Sequence, residues 1–280
     1  MSNSDNGLHL SRVTSRPYLA VIQYDGARFA GWQRQPDART VQAAFEAVLQ
    51  RLDGGEQRVV TTGAGRTDAG VHALGQGVSF TPGARWDDQP STELRRALNA
   101  LLPDDVWVEE VHAMRPGFDA RRSATARRYR YVIGTDEAAA SPFRRPYEWA
   151  LSVNGNRPLD LAALRDASAL LAGEHDFRGL AAAGAATAHY RCRVALAEWA
   201  PRTDEGGVTF TIEADRFLHH MVRFLVGTMV DIALGRRPPA DFPRLLEATD
   251  NLAASPPAPP HGLYLMAVRY PPELYAEACA

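Results

Sequence analysis

The sequence predicts an α+β fold made of two ferredoxin-like (split-βαβ) halves, with antiparallel sheets and a central cleft between them. Three observations predict it. Residues 16–114 read in the order β-α-β-β-α-β, residues 115–272 repeat that order with insertions, and the length suits it. At 280 residues, 45% apolar and 23% charged, the chain can form one large domain or two of about 100–150 residues. The flanking segments 1–15 and 273–280 read as tails, the first of them disordered.

In the first half, Pro17 to Tyr24 alternates and is β-rich. Val41, Phe45, Val48, Leu49 and Leu52 recur at helical spacing behind a capping Thr40. Gln57 to Thr62 and Leu74 to Thr81 read as strands on either side of a glycine-rich loop. A helix from Thr92 to Leu102, with Ser91 as N-cap, and a strand from Val106 to Met114 complete the unit. In the second half a strand covers Arg127 to Gly134, and a polar, proline-containing insertion runs to Pro158. Asp160 caps a helix through Leu171. Arg191 to Ala200 and Gly207 to Ala214 make a hairpin, followed by a long helix from Arg216 to Leu234 and a shorter one from Ala240 to Ala248. A Pro/Ala-rich linker, Ala253 to Pro260, leads to a last strand over Gly262 to Tyr270. The repetition is of architecture, not of sequence.

Composition excludes several classes. Cys192 and Cys279 form no CxxC pair, so neither a disulfide framework nor a cysteine zinc site is expected. Residues 1–16 lack an apolar h-region, so no signal peptide is read. The apolar stretch Phe217 to Leu234 contains His219, His220, Arg223 and Asp231, which suits a buried helix and not a membrane span. A cytoplasmic protein with no membrane association is the expectation. The net charge of −2 announces no nucleic-acid partner, but its distribution is uneven. All 31 basic residues are arginine, as a genomic bias would produce. Arg115, Arg121, Arg122, Arg127, Arg128 and Arg130 cluster around a single acid, Asp119. Such a cluster is either a solvated face or a phosphate-binding footprint.

The loop from Gly63 to His72 is too long and too glycine-rich to be only a turn. It is no P-loop, because no Gly-Lys-Ser/Thr follows, and no Rossmann fingerprint, because no helical pattern begins there. What remains is Arg66 and Asp68, two apart among small residues that let a bulky ligand approach the backbone. The arginine either stabilises the loop through an ion pair or holds the carboxylate in the charged form that a nucleophile requires.

Arg66-Thr67-Asp68-Ala69-Gly70-Val71-His72-Ala73 resembles the central motif of the tRNA pseudouridine synthase A family. Other blocks resemble the family in order: Tyr24-Asp25-Gly26 with Gly31-Trp32-Gln33-Arg34-Gln35, Phe118-Asp119-Ala120-Arg121, Ser123 to Tyr131, Gly173 to Phe177, Phe217 to Arg223, and Gly262 to Leu265. The resemblance spans roughly Arg16 to Tyr270. It implies a homodimer that isomerises uridine to pseudouridine at positions 38, 39 and 40 of the tRNA anticodon stem-loop, with RNA in the central cleft. By motif, Asp68 is the nucleophile and Arg66 pairs with it and helps displace the target base. Tyr129 stacks on the flipped uracil, and Arg223 supplies a second cationic wall. Phe118, Arg121 and Arg85 are candidates for tRNA backbone contacts, and Arg144 for a further substrate contact. The chain departs from the family's pattern at Ala181 to Ala188, which is nearly all Ala and Gly. It departs again at Val132 to Ala140, which offers Asp136 and Glu137 where an arginine is common.

No cofactor is expected. On a helix His219 and His220 would point about 100° apart and could not share a metal, so no metal site is read. His72 is expected to hydrogen-bond within the loop. Trp32 is either core or part of a loop near RNA. A catalytically silent RNA binder would need no acid in a phosphate-repelling position, and a glycosidase would need a second carboxylate.

Overall fold

The computed structural model describes residues 16–55, 58–151, 158–183, 189–203 and 205–276. The expected tail over residues 1–15 and most of the Ala/Gly segment 181–188 lie outside the described residues.

The first half opens with strand β1 (Tyr18–Tyr24), nearly all of whose side chains are buried. Helix α1 (Val41–Leu52) begins where expected, with the Thr40 hydroxyl accepting from the Ala43 amide at 3.4 Å. Its buried face is Val41, Phe45, Val48 and Leu49, the stripe that the periodicity indicates. Strand β2 (Thr62–Gly63) is shorter than expected, and strand β3 (His72–Phe80) starts two residues earlier. Helix α2 (Ser91–Asn99) is capped by Pro90 and not by Ser91. The Pro90 carbonyl accepts the Glu93 and Leu94 amides, so Ser91 already lies in the first turn. Strand β4 (Val106–Ala113) follows.

The second half consists of β5 (Ala126–Gly134), β6 (Trp149–Ala150), α3 (Leu161–Ala169), β7 (Gly173–Asp176), β8 (Arg191–Pro201), β9 (Gly207–Ala214), α4 (Met221–Ala233), α5 (Asp241–Leu246) and β10 (Leu263–Arg269). The Asp160 carboxylate accepts from the Ala162 and Ala163 amides at 2.9 and 3.1 Å, as expected of an N-cap. Strands β6 and β7 and the late start of α4 were not legible in the pattern. The segment read as a C-terminal tail begins in the fold: the Ala276 amide bonds the Ala113 carbonyl at 2.9 Å, and Arg115 bonds that of Leu274.

Two separate sheets were expected; the strands form one. Their order is β4-β1-β3-β10-β5-β9-β8-β7, with β2 on β3 and β6 on β5. The sheet is mostly antiparallel. The join is β10, which runs parallel to β3 (Tyr264 opposite His72) and antiparallel to β5 (Leu265 opposite Tyr129). Glycine makes the join possible. A Cβ on Gly75 would lie 2.4 Å from the Met266 carbonyl oxygen, and one on Gly77 would lie 2.1 Å from the Tyr270 hydroxyl. With a side chain at either position β3 could not approach β10 so closely. One hydrophobic core accordingly runs through both halves, from Tyr18, Ile22 and Phe45 to Phe210, Leu225 and Met229. No helix among the described residues is long and apolar enough to cross a membrane.

Candidate active site

The loop between β2 and β3 is held from several sides. The Gln76 amide nitrogen donates to the Gly65 carbonyl at 2.8 Å, and the Ala64 amide donates to that of Gly77 at 2.8 Å. The segment after β1 grips its middle. The Trp32 amide donates to the Thr67 carbonyl at 3.0 Å, and the Tyr24 hydroxyl lies 2.8 Å from the Thr67 hydroxyl. Gly31 sits at φ +96°, and a Cβ there would fall 2.7 Å from the Thr67 carbonyl oxygen. Trp32 is 2% exposed and packs beside Tyr24, so of the two alternatives it is core.

His72 anchors the end of the loop. Its ring is buried and stacks on Tyr264, with centroids 4.8 Å apart. Nδ1 accepts the Gly26 amide at 3.0 Å, which places the ring proton on Nε2, 3.1 Å from the Pro146 carbonyl. Burial is the main cause that lowers its pKa below the ordinary value.

With Thr67 turned inward, its two neighbours face out. Asp68 meets Arg223, whose Nη1 donates to Oδ2 at 3.1 Å. The same guanidinium is fixed from behind, Nε donating to the Ala258 carbonyl at 2.7 Å. The Pro/Ala-rich segment before β10 is therefore a packed wall of the site, with Ser255 and Ala258 buried. The ion pair expected between Arg66 and Asp68 is not formed. Arg66 is exposed and makes no hydrogen bond or ion pair with the described residues.

Helix α4 starts at Met221 and not at Arg216. His220 stands before it at φ 59°, the sole non-glycine residue with positive φ among those described. His219 and His220 therefore precede the helix, contrary to the expectation that they lie on it about 100° apart and could not share a metal. His219 Nε2 is 3.5 Å from Asp68 Oδ1, and His220 Nε2 is 3.3 Å from Oδ2. The three side chains' donor atoms all lie within 4.8 Å of one another.

On β5, side chains alternate as expected. Arg128 pairs with Glu213 at 2.7 Å and Arg130 lies over the Tyr264 ring, whereas Arg127, Tyr129 and Tyr131 turn to the other face. Tyr131 is core, its hydroxyl donating to the Pro259 carbonyl at 2.7 Å. Tyr129 packs edge-on against Phe217, and its hydroxyl makes no hydrogen bond with the described residues. Burial first, and then the negative charge of Asp68, push its pKa up to about 12. Arg127 was not singled out beforehand as a site residue. Its Nη2 donates to the Ala64 and Arg121 carbonyls at 3.0 and 2.6 Å, and its Nη1 donates to that of Asp215 at 2.8 Å. It thus ties the start of the loop between β2 and β3 to the chain just before β5 and just after β9. The alternation that put it on the face of Tyr129 was the available signal.

The peripheral candidates are scattered. Arg121 is exposed beside the Arg127 clamp. Phe118 is buried edge-on against Tyr270 and lines a cavity of about 640 Å³ with Arg58, Thr62 and Ser79, at the opposite end of β3 from Asp68. Arg85 lies near that cavity, over the Trp86 ring. Arg144 is committed elsewhere: it pairs with Asp136 at 3.0 Å and Glu148 at 2.7 Å, in a network that Arg202 and Glu205 complete.

A carboxylate offset by a fixed guanidinium lies with an exposed arginine on its loop and a buried phenol nearby, neither of which bonds to the described residues; these are groups suited to an enzyme site. The comparisons make the class specific. A family model described as tRNA pseudouridine synthase matches residues 20–121 and 167–271. The tRNA pseudouridine synthase A of Moorella thermoacetica is 41% identical over 259 residues, covering 91% of this chain and all of the relative. Those of Geobacillus kaustophilus and Pseudothermotoga lettingae are 40% and 38% identical over 90% of this chain and 94% and 99% of their own. The chain belongs to the tRNA pseudouridine synthase family and is an isomerase that converts uridine in tRNA to pseudouridine.

Proposed function

We propose that this isomerase acts at positions 38, 39 and 40 of the anticodon stem-loop, with Asp68 as nucleophile. The observation that carries the reading is the carboxylate itself: Arg223 donates to Oδ2 at 3.1 Å, and Tyr129 stands close enough for its hydroxyl to feel the Asp68 charge. A stem uridine must leave its stack to be reached, at a cost of a few kcal/mol. Arg66, exposed and without a hydrogen bond or ion pair to the described residues, takes the vacated place. Asp68 then attacks at the ribose or the base and the N1–C1′ bond breaks. The uracil turns, C5 bonds to C1′, and the bond to Asp68 breaks, which returns the free carboxylate. The C5 proton leaves and N1 is protonated, so the reaction is an isomerisation without net loss of atoms. Tyr129 stacks on the uracil, and its phenol, kept protonated by its surroundings, relays the proton.

The strand orders support the reading of two ferredoxin-like halves, 16–114 and 115–272. In each the fourth strand lies beside the first and the third beside it, β4-β1-β3-β2 and β10-β5-β9-β8. The RNA would lie where the halves meet, next to the join. The protein acts in the cytoplasm as a homodimer. Light scattering at micromolar concentration should give roughly twice the 30.6 kDa chain mass, and a fully active monomer would refute the dimer.

The test of the chemistry is incubation of unmodified tRNA with purified enzyme and mapping of pseudouridine. Asp68→Asn should slow product formation by about 10³-fold or more while tRNA affinity is kept or rises slightly, since one negative charge near phosphate is gone. A variant that works at more than about a tenth of the normal rate removes Asp68 from the mechanism.

A further inference from the structure

The two imidazoles on Asp68 have no part in the isomerisation as proposed above. Their separations from the carboxylate oxygens are 3.5 Å for His219 and 3.3 Å for His220. Ligands bonded to zinc at about 2.0–2.1 Å in a tetrahedron stand about 3.3–3.4 Å apart. Each imidazole is already near that separation from one oxygen of Asp68, and all three donor atoms lie within 4.8 Å of one another. The donor set, two imidazoles and one carboxylate, is a familiar one for zinc that keeps an open fourth position. A second, independent observation is the backbone. His220 is held at φ 59°, a conformation that a residue with a Cβ seldom adopts, and it is this turn that directs its ring to Asp68. The site is also accessible, because the His219 side chain is 56% exposed and an ion can enter without opening the fold.

We propose that Asp68, His219 and His220 form a reversible inhibitory site for borderline divalent transition ions such as Zn²⁺, Co²⁺ and Ni²⁺. A bound ion engages the lone pairs of Asp68 and stands where the target nucleotide must come, so ion and tRNA exclude each other. Hard Mg²⁺, which prefers oxygen ligands and its own water, does not bind there. Arg223 limits the affinity, since its guanidinium shares Oδ2 with the incoming ion, and the site therefore releases its metal to a chelator. The inhibition rests on the proposed role of Asp68, but the binding does not.

The two are separated by titrating the chelator-treated, full-length protein with ZnCl₂ by calorimetry and with CoCl₂ by visible absorption. One equivalent of zinc per chain is expected. Co²⁺ should give the intense visible bands of tetrahedral coordination, and substrate tRNA should abolish them. His219→Ala and His220→Ala should each weaken zinc by at least about tenfold. Zinc should inhibit pseudouridine formation, and EDTA should restore it to the level of the metal-free enzyme. Zinc that binds equally well to both histidine variants, or weak octahedral cobalt bands only, would overturn the site. Zinc that binds with full histidine dependence but leaves turnover untouched would keep the site and overturn the role of Asp68.

Discussion

At the scale of single residues, the site is an arrangement of side chains with and without partners. Asp68, Arg223 and the two histidines are mutually engaged, whereas Arg66 and the Tyr129 hydroxyl have no partner among the described residues. Removing the hydroxyl should therefore leave the fold alone. Tyr129→Phe is expected to unfold within about 0.5 kcal/mol of the parent and to bind tRNA normally, yet to turn over at least about tenfold more slowly in single-turnover kinetics. Tyr129→Leu should in addition weaken tRNA binding by about 1–3 kcal/mol. A leucine variant with normal turnover would exclude Tyr129. The motif and its loop were legible in the sequence, and so was the β5 face that carries Tyr129. The partner of Asp68 within its own loop was misread, because a two-residue spacing in a turn does not say on which side each chain emerges. The histidine pair was misread because the apolar pattern runs on through Phe217 and Leu218 with no glycine or proline to show where the helix begins.

At the scale of elements, periodicity and caps gave the helices and most strands, since both arise from neighbours in the chain. The contact between β3 and β10 was invisible for the opposite reason. It joins residues nearly two hundred positions apart, and nothing local encodes that register. Its trace in the sequence is glycine, placed in β3 where the partner backbone passes. Gly75→Ala should thus act on the join and not on β3 alone, since its methyl would meet the Met266 carbonyl. We expect a loss of about 1–3 kcal/mol in urea unfolding, with turnover reduced as β10 shifts and carries the wall behind Arg223 with it. An alanine variant of parental stability would mean that the strands part without cost.

The whole molecule senses pH through histidines whose charged form the fold disfavours, His72 buried and His261 half-buried. The pKa values of His72 and His261 are both lowered, in each case chiefly by burial. A group whose folded pKa lies below its unfolded value binds more protons when unfolded, so stability is complete above the unfolded value and declines as pH falls below it. For imidazole that decline starts at about pH 6.5. Each of the two can contribute a slope of up to about 1.4 kcal/mol per pH unit. Urea midpoints should hold from pH 8 to 7 and drop between pH 6.5 and 5. His72→Gln, which keeps a donor toward Pro146 but cannot be charged, should flatten the drop. A midpoint that stays level to pH 5 would show that neither ring resists protonation.

The position of β10 also sets when the enzyme comes into being. A ribosome delivers the loop of Asp68 long before β10, so a nascent chain carries Asp68 well before Leu263–Arg269 exist to close the sheet. Until then the start of the β3 edge, at His72 and Ala73, is unpaired backbone, open to any passing strand. The packed wall that fixes Arg223 is missing too, since residues 256–260 emerge only just ahead of that strand. Chains cut short by a stalled or prematurely terminated message would thus hold the whole central motif and none of the activity. Strand β10 is in effect a licence for the loop made long before it, and a chain that stops short of β10 could not touch a tRNA productively.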